Sequence, residues 1–288
     1  MRAAFALVLS AVCFLWSVVL NPKILFAEEN PFSIVNKASY TFKSDVNDQP
    51  GTFQESLWSI RLGYHHIMAN GMPLDIKIGG NHYFFKETTS VDIPEKAKAR
   101  GAWISSRFPI PSMDQRFLFG LELNPVFQNA KGAKFDTDAF RFNFSPTFIF
   151  KRDKDFEFVI GAKIRPRYDK VVLPIIGFNY QATDKLSFNL VSDEPSIDYK
   201  ITDKTKLFWG FNYLLDEFEV TAGSLDGSIL EVQNFTTGAG IEHQFNNHFV
   251  IRSEVGGVFD RIIKYQDDNG KLVPKPGVYF KLSLDAHF

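Results

Sequence analysis

The sequence predicts an all-β chain folded as a transmembrane antiparallel up-and-down β-barrel of about 14 strands, with about 12 as the alternative count. Three observations predict this fold. Many segments alternate apolar and polar residues with a period of two, which is typical of strands with two different faces. Phenylalanine is abundant, with 31 residues against 9 tyrosines, and aromatic side chains suit pleated surfaces and membrane interfaces. The connections between the segments also alternate in length.

The first 27 residues have the pattern of a secretory signal peptide. Arg2 precedes an uncharged apolar run, Ala3 to Leu20, and Ala27 stands before two acidic residues. A retained membrane helix is the alternative, because about 18 apolar residues are just long enough to span a bilayer. We expect cleavage, since no basic cluster follows the run. The predicted domains are therefore a signal peptide, residues 1–27, and a β-barrel, residues 28–288.

The composition excludes several classes of protein. A mean hydropathy of −0.11 is too low for a bundle of membrane helices, although 45% of the residues are hydrophobic. A net charge of −1 gives no argument for a nucleic-acid partner. The one cysteine, Cys13, lies in the predicted signal peptide, so the remaining chain has no thiol for a disulfide or a metal site. We expect no cofactor and no metal.

Alternation defines the strands in chain order. The second places Trp58 and Leu62 opposite Arg61, and the fifth and seventh repeat the pattern with phenylalanine, leucine and isoleucine against charged residues. The sixth is clearest, with a face of five phenylalanines interrupted by Pro146, which predicts a bulge or a local break there. The ninth and tenth are short, and if they form a hairpin at the rim the count falls to 12. The predicted limits are 32–43, 54–67, 73–85, 101–109, 115–128, 138–151, 155–166, 171–181, 185–192, 195–201, 205–214, 229–245, 247–260 and 275–288.

The connections predict two different rims. Short ones join strands 2–3, 4–5, 6–7, 8–9, 10–11 and 12–13, whereas the others are mostly longer. The longest are Lys86 to Arg100, Leu215 to Ser228 and Arg261 to Pro274. Short turns at one rim and long polar loops at the other are typical of outer-membrane barrels. Few residues precede the first strand, so an N-terminal plug is not expected, although a plug built from the long loops remains possible.

The last strand carries a further signal. Val278, Phe280, Leu282, Leu284, Ala286 and Phe288 share one face, and the strand ends on an aromatic residue. With the signal peptide and the alternating strands, the chain resembles a bacterial outer-membrane β-barrel, whose final strand is recognised by the barrel-assembly machinery. Residues 173–188 (LPIIGFNYQATDKLSF) and 197–207 (IDYKITDKTKL) are similar to an uncharacterised, domain-of-unknown-function barrel family. The resemblance implies an outer-membrane location, lipid and the assembly machinery as partners, and an assembly signal made of Phe280, Leu282, Leu284 and Phe288.

Polar residues opposite the apolar faces are expected to face the lumen. They form either a mixed-charge pore wall or salt bridges that fill a narrow barrel, and the sequence leaves both open. The candidates are Arg116, Glu122, Asn124, Arg141, Glu157, Lys163, Arg165, Arg252, Glu254, Lys281 and Asp285.

Three functions are compatible with such a barrel. The first is a passive pore or channel, or a structural barrel, of unassigned substrate, with small solutes as possible ligands. The second is an interaction protein whose long loops, especially Lys86 to Arg100 and Leu215 to Ser228, contact a partner. The third is a lipid-modifying enzyme acting through histidine. We expect no enzyme, because none of the six histidines stands in a recognisable nucleophile motif.

Overall fold

The computed structural model describes residues 31–288 except 48, 70, 111, 112, 114, 115, 131–138, 192, 193 and 268, so the predicted signal peptide, residues 1–27, lies outside the described part. The strands are β1 (Phe32–Asp45), β2 (Thr52–Ile67), β3 (Pro73–Glu87), β4 (Lys96–Pro109), β5 (Phe117–Ala130), β6 (Phe140–Lys151), β7 (Phe156–Ile164), β8 (Val172–Gln181), β9 (Leu186–Asn189), β10 (Ser196–Thr202), β11 (Thr205–Val220), β12 (Ile229–Gln244), β13 (Phe249–Tyr265), β14 (Lys271–Leu272) and β15 (Gly277–His287).

The sheet closes on itself. Strands follow one another antiparallel around the ring, β13 pairs with both β12 and β15, and β1 pairs with β15 from Ser33–His287 to Thr41–Tyr279. The two-residue β14 pairs only with β13 in the described chain, so it lies outside the ring. Fourteen strands therefore form a closed barrel, which confirms the predicted fold and the higher of the two predicted strand counts.

The two rims differ as the sequence predicts. We call the end that carries Phe32 and Phe288 the inner rim, and the opposite end the outer rim. Phe32 and Phe288 are joined there by two backbone hydrogen bonds of 3.0 and 2.8 Å. In outer-membrane barrels short turns lie on the periplasmic side and longer loops outside, which is the reason for these names.

The outward face of the wall is apolar. On β15, Val278, Phe280, Leu282 and Leu284 are all exposed, whereas Tyr279 and its like-facing neighbour Ser283 are buried. Outward polar groups are paired within the wall: the Trp58 indole donates to Asn36 at 2.9 Å and the Trp209 indole to Thr237 at 2.6 Å. Because lipid tails offer no hydrogen bonds, this surface suits a bilayer and not water. Ala286 lies on the same outward face, in register with the exposed Ile34 and Phe249, but its small side chain is itself buried.

Pro146 interrupts the ladder as expected, but without a bulge. The β6–β7 pairing skips Ser145 and Pro146 and resumes in the same register from Phe144–Ile164 to Thr147–Gly161. Proline has no amide hydrogen to donate, so the ladder is broken locally while both strands continue.

Real bulges occur in β1 and β13, at their outer ends. In β13 the register shifts between Phe259 and Ile262, and Asp260 adopts the left-handed conformation with φ of 47°. The extra residue changes which side chains point inward, so that Arg261, Ile263 and Tyr265 all become buried. The strand therefore continues to Tyr265 beyond the predicted limit at residue 260.

The part of the wall that follows β8 extends less far along the barrel axis than the other strands do. β9 has only four residues, against the eight predicted, and β10 pairs with it from Ser196–Asn189 to Tyr199–Leu186. β8 pairs with β9 only over Asn179–Gln181. Both short strands belong to the ring but reach only part of its height.

At the outer end β11 leaves the wall and turns inward. Its exposed and buried residues alternate up to Leu214, but from Leu215 onward almost every residue is buried. Glu219 and Val220 pair in parallel with Asn129 and Ala130 of β5, on the far side of the ring. Residues 215–220, predicted to begin a long loop, are thus strand. The predicted loops 86–100 and 261–274 are shortened in the same way, because their first and last residues pair with neighbouring strands.

Inside this end lies an apolar core, which we call the outer core. It fills the part of the ring bounded by β11–β13, β1–β4 and the end of β5. Tyr265 anchors the β3–β4 connection to it by donating its hydroxyl to the Asp92 carbonyl at 2.7 Å. Its buried members are Val46, Phe53, Tyr83, Phe85, Ile93, Ala97, Ala99, Val126, Ala130, Phe218, Val220, Leu230, Val232, Ile263, Tyr265 and Leu272.

No helix among the described residues is long and apolar enough to span a membrane.

The β1–β15 seam can be tested with a disulfide. Val35 and Asp285 are directly opposite one another across the seam, and they alternate with hydrogen-bonded pairs, so their Cα atoms are expected about 4.5 Å apart. In a Cys13→Ala background, we expect Val35→Cys with Asp285→Cys to form a disulfide and to abolish the heat-dependent shift in electrophoretic mobility until reductant is added.

The matched control is Val35→Cys with Val250→Cys. Val250 pairs with Asp285 from the other side, so it is two strands from Val35, at about 10 Å. A disulfide in this control, or none in the seam pair, would contradict the closed register.

Candidate functional site

A cavity of about 820 Å³ occupies the barrel below the outer core. Its walls come from most of the ring, including β1–β8 and β11, together with the β9–β10 connection. Both charges are present, and they lie among apolar side chains. Lining residues include Lys37, Glu122, Lys163, Glu194, Asp216 and Lys281.

The eleven residues predicted to face the lumen fall into three groups by location. Glu122, Asn124, Lys163, Arg165 and Lys281 line the cavity. Glu157, Arg252 and Glu254 belong to ion pairs within the barrel, and Arg141 is buried beside the ring of Tyr168. Arg116 is exposed in the turn before β5, and Asp285 accepts a hydrogen bond from Ser283. The role of these eleven residues in solute passage stays a prediction.

Two ion pairs that share Glu194 cross the lumen. Glu194, in the β9–β10 connection, contacts Lys37 of β1 at 3.0 Å and Lys281 of β15 at 2.7 Å. The connection and these two strands lie on opposite sides of the ring. Lys281 also lies 3.7 Å from Glu254, which in turn accepts a short hydrogen bond from the Tyr279 hydroxyl. Glu194 is therefore held inside the barrel by charge.

A second crossing lies nearer the outer core. The Tyr83 hydroxyl of β3 donates to Asp216 of β11 at 2.7 Å, and the Gln128 amide of β5 approaches the same carboxylate at 3.5 Å. Asp216 is therefore the polar link between the inward-turned β11 and the opposite wall.

The β7–β8 connection, residues 165–171, covers the smaller part of the ring between β5 and β11. The buried Arg165 guanidinium donates to the Leu215 carbonyl at 2.7 Å and lies 4.2 Å from the Tyr168 ring. Tyr168 reaches across to Gln128 with a short hydrogen bond. The pKa of the Tyr168 hydroxyl lies well above its ordinary value, mainly because the group is buried and also because the Asp216 carboxylate is near. The hydroxyl therefore keeps its proton and stays a hydrogen-bond donor.

A second cavity, of about 660 Å³, lies at the inner rim under β8–β12. Lys206 bridges Asp198 at 3.0 Å and Glu242 at 3.1 Å, and Glu242 is 3.8 Å from Arg252. Arg252 stacks on Phe208 at 3.5 Å. Asn189 and Asp198 of the paired strands β9 and β10 line this inner cavity, whereas Leu190 and Glu194 line the larger one.

Among the described residues, most of the charged groups in the cavities have an ion-pair or hydrogen-bond partner, but Lys163 does not. Within the described chain the Lys163 ammonium has neither an ion pair nor a hydrogen bond, although it lines the larger cavity. The site therefore combines paired charges, which set its shape, with one cation that is available to a ligand.

Sequence reasoning missed Glu194, Lys37 and Asp216. Glu194 was placed in a two-residue turn, and the only signal for it was a Glu-Pro pair between two unusually short strands. Lys37 lies on the polar side of a predicted strand, and Asp216 lies in a segment that the sequence assigned to a loop.

The predicted assembly residues are Phe280, Leu282, Leu284 and Phe288. All four are exposed on the outward face at the β1–β15 seam. Their recognition by an assembly machinery stays a prediction.

No histidine side chain is among the residues that line the larger cavity in the described chain, although Asp75, the partner of His65, is one of them. His65 contacts Asp75 at 2.8 Å, His243 contacts Thr205 at 2.9 Å, and His248 contacts the carbonyl of His287 at 2.8 Å. In the part of the chain described by the structure, no cluster of three or more His, Cys, Asp or Glu residues is placed to hold a metal ion.

Comparison with known proteins gives a family and several loose likenesses. A family model described as Domain of unknown function (DUF6268) matches residues 121–284. No curated protein matches the sequence. Among solved structures, the COG4313 outer membrane channel from Pseudomonas putida F1 is similar at 12% identity and a TM-score of 0.47, over 91% of this chain and 96% of that one.

Two further structures are similar at lower scores. The translocator domain of the autotransporter NalP from Neisseria meningitidis has 8% identity and a TM-score of 0.37, over 98% of each chain. The KdgM porin has 11% identity and a TM-score of 0.35, over 89% of this chain and 99% of that one. At these scores the likenesses are loose, and the barrel assignment rests on the closed strand pairing of this chain.

The crossing ion pairs predict a measurable loss of stability. Replacing Glu194 with Gln leaves Lys37 and Lys281 facing one another without their shared carboxylate. We expect the free energy of unfolding to fall by about 1–3 kcal/mol, as for other hydrogen bonds to charged groups. Urea unfolding of the detergent-folded protein, followed by tryptophan fluorescence, measures this.

The control is Lys200→Gln, which removes the exposed ion pair with Asp203. Exposed pairs contribute little, so this variant is expected to unfold with the wild type. Equal unfolding midpoints for all three proteins would show that the Glu194 crossing does not stabilise the barrel.

Proposed function

Since the chain belongs to the family Domain of unknown function (DUF6268), we propose from the geometry of its own lumen that it is an outer-membrane channel for small molecules whose outer end is closed at rest. The observation that carries the proposal is the cavity of about 820 Å³ inside a closed barrel with an apolar outer wall. Its volume lies within the range of about 300–1,000 Å³ that is typical of small-molecule sites.

The placement of polar and apolar surfaces supports the membrane location. The wall presents exposed Phe280, Leu282 and Trp209 outward, while ion pairs and hydrogen-bonding groups face inward. Such a distribution is stable only with lipid outside and water or protein within. The proposal includes export through a cleaved signal peptide and assembly through the last strand.

The closed outer end distinguishes this channel from an open porin. The outer core fills one part of the outer rim, and the β7–β8 connection covers the other. Ions therefore have no wide direct path along the barrel axis, and we expect little steady current through the resting protein.

The structure gives less support to the alternative of loop-mediated surface interaction. Part of each long connection that was to contact a partner is paired strand, namely residues 86–87, 96–100 and 215–220, and Ile93 of the β3–β4 connection is buried in the outer core. Less free loop remains for a partner than the sequence indicates. The histidine contacts described above likewise offer no observation that favours a lipid-modifying enzyme.

A shortened hairpin tests the closed channel. Asp216 and Val232 form a hydrogen-bonded pair of the β11–β12 ladder, so residues 217–231 can be replaced by an Asn-Gly turn without changing the register below. This removes Phe218, Val220 and Leu230 from the outer core. In planar bilayers we expect steady conductance at least about tenfold above that of the wild type, because the apolar seal is opened.

A tip deletion is the matched control. Replacing only residues 222–227 by Asn-Gly keeps Phe218, Val220 and Leu230 in place, and this variant should remain closed. A large steady current through the wild type, or a folded hairpin variant that stays closed, would contradict the proposal; the heat-dependent mobility shift reports folding in each case.

A further inference from the structure

The barrel wall has an opening between β8 and β11. On the side of β8 that faces β9, no described residue forms a ladder with Val172 to Ile176, because β9 ends at Asn189 opposite Asn179. On the side of β11 that faces β10, the ladder ends at Gly210 opposite Ser196. In the described part of the chain, two strands are therefore missing from the outer half of the wall, a width of about 10 Å at the usual strand spacing.

Strands β8 and β11 form the two sides of the opening, and hydrogen bonds define its lower and upper edges. At its lower edge the Leu190 amide donates to Phe178 at 3.0 Å, and the Phe211 amide donates to Pro195 at 3.1 Å. At its upper edge Arg165 donates to the Leu215 carbonyl at 2.7 Å. Between Phe211 and Leu215 the opening is about 13 Å high at the rise of an extended strand.

The exposed strand edges are adapted to this gap. Pro174 lies on the β8 edge with its nitrogen on the open side, where its missing N–H removes a donor that would otherwise be unpaired. The Leu215 carbonyl on the opposite edge is taken by Arg165. Unpaired backbone groups are not tolerated against lipid unless they border a cavity, so these edges are consistent with a wetted passage.

The larger cavity reaches through this opening. Its lining includes Ile175, which faces the lumen, and also Ile176 and Tyr213, which are 68% and 47% exposed on the outer face of the barrel. Leu190 and Val191 line it at the lower edge. The side chains that border the route from bilayer to lumen are thus mostly apolar.

The polar groups just inside point to one ligand chemistry. Lys163 pairs in register with Leu173 on the β8 edge, lines the cavity and has no ion pair in the described chain. The nearby acids are engaged: Glu194 with two lysines, and Asp216 with Tyr83. A cation is therefore available to a ligand at this place, whereas the carboxylates are not.

We propose that the opening between β8 and β11 is a lateral gate through which amphiphiles with an apolar tail and an anionic head pass between the bilayer and the lumen, with Lys163 binding the head group. This rests on the proposed channel function and names its route and substrate class. The outer core and the β7–β8 connection obstruct the axial path, whereas the described residues leave this lateral route open.

Photo-labelling in a bilayer tests the route. The full-length chain is reconstituted in phosphatidylcholine vesicles that contain dodecanoate with a diazirine in its tail, and labelled residues are identified by mass spectrometry. We expect label on lumen-facing residues beside the gate, including Ile175 and Leu214. Ile175→Trp, which narrows the gate, and Val191→Trp, which fills its lower edge, should each lower lumen labelling at least about fivefold.

The head-group contact is tested in the same vesicles. Lys163→Gln should lower lumen labelling by dodecanoate about fivefold or more, because a charge-assisted hydrogen bond is lost. The corresponding dodecanol probe should label the lumen weakly, and its labelling should be the same in the wild type and in Lys163→Gln.

The controls are Ile160→Trp, on the lipid-facing side of β7, and Lys77→Gln, on β3 outside the cavity lining. Both should label as the wild type.

Label confined to outward-facing residues, or lumen labelling unchanged in Ile175→Trp and Val191→Trp, would overturn the lateral gate. Equal labelling by dodecanol, or none of the expected loss in Lys163→Gln, would overturn the anionic head. Bilayer conductance of the shortened hairpin is independent of these results, so failure of the gate and failure of the channel can be told apart.

Discussion

Backbone hydrogen bonding in an apolar solvent is the constraint on which this structure depends. A strand in lipid must pair on both sides, which is possible for every strand only when the sheet closes. The chain meets this condition with fourteen strands and a seam at which β1 and β15 pair from Ser33–His287 to Thr41–Tyr279. Where the pairing stops, between β8 and β11, the free edges carry Pro174 and the capped carbonyl of Leu215.

The interior follows from the same closure. Side chains on the inner face cannot reach lipid, so they must be wet, paired or packed. Below the outer core the barrel contains paired charges around cavities, whereas the outer core itself is packed with apolar groups around Phe218 and Tyr83. The boundary lies where β11 turns inward and Asp216 meets Tyr83.

Much of the wall could be predicted from the sequence, because alternation records a physical boundary between lipid and lumen. The strand limits from β1 to β8 agree to within a few residues, apart from the start of β4, which begins five residues earlier than predicted.

Prediction failed where the boundary between lipid and lumen is absent. Beyond Leu215 both faces of β11 are buried, so alternation no longer identifies a strand. In β13 the bulge at Asp260 shifts the inward positions by one residue, and a period of two cannot be followed across it. The charged network was harder still, since the contact of Glu194 with Lys37 depends on which strands lie opposite across the ring.

The brevity of β9 has a consequence for the surrounding membrane. Four extended residues cover about 13 Å, less than half of the roughly 30 Å of hydrocarbon in a typical bilayer. Acyl chains beside this sector meet a wall of unequal height, and such hydrophobic mismatch is relieved by local thinning of the bilayer and tilting of the protein. The lipid annulus is therefore expected to be asymmetric, with its most disordered chains next to β9 and β10.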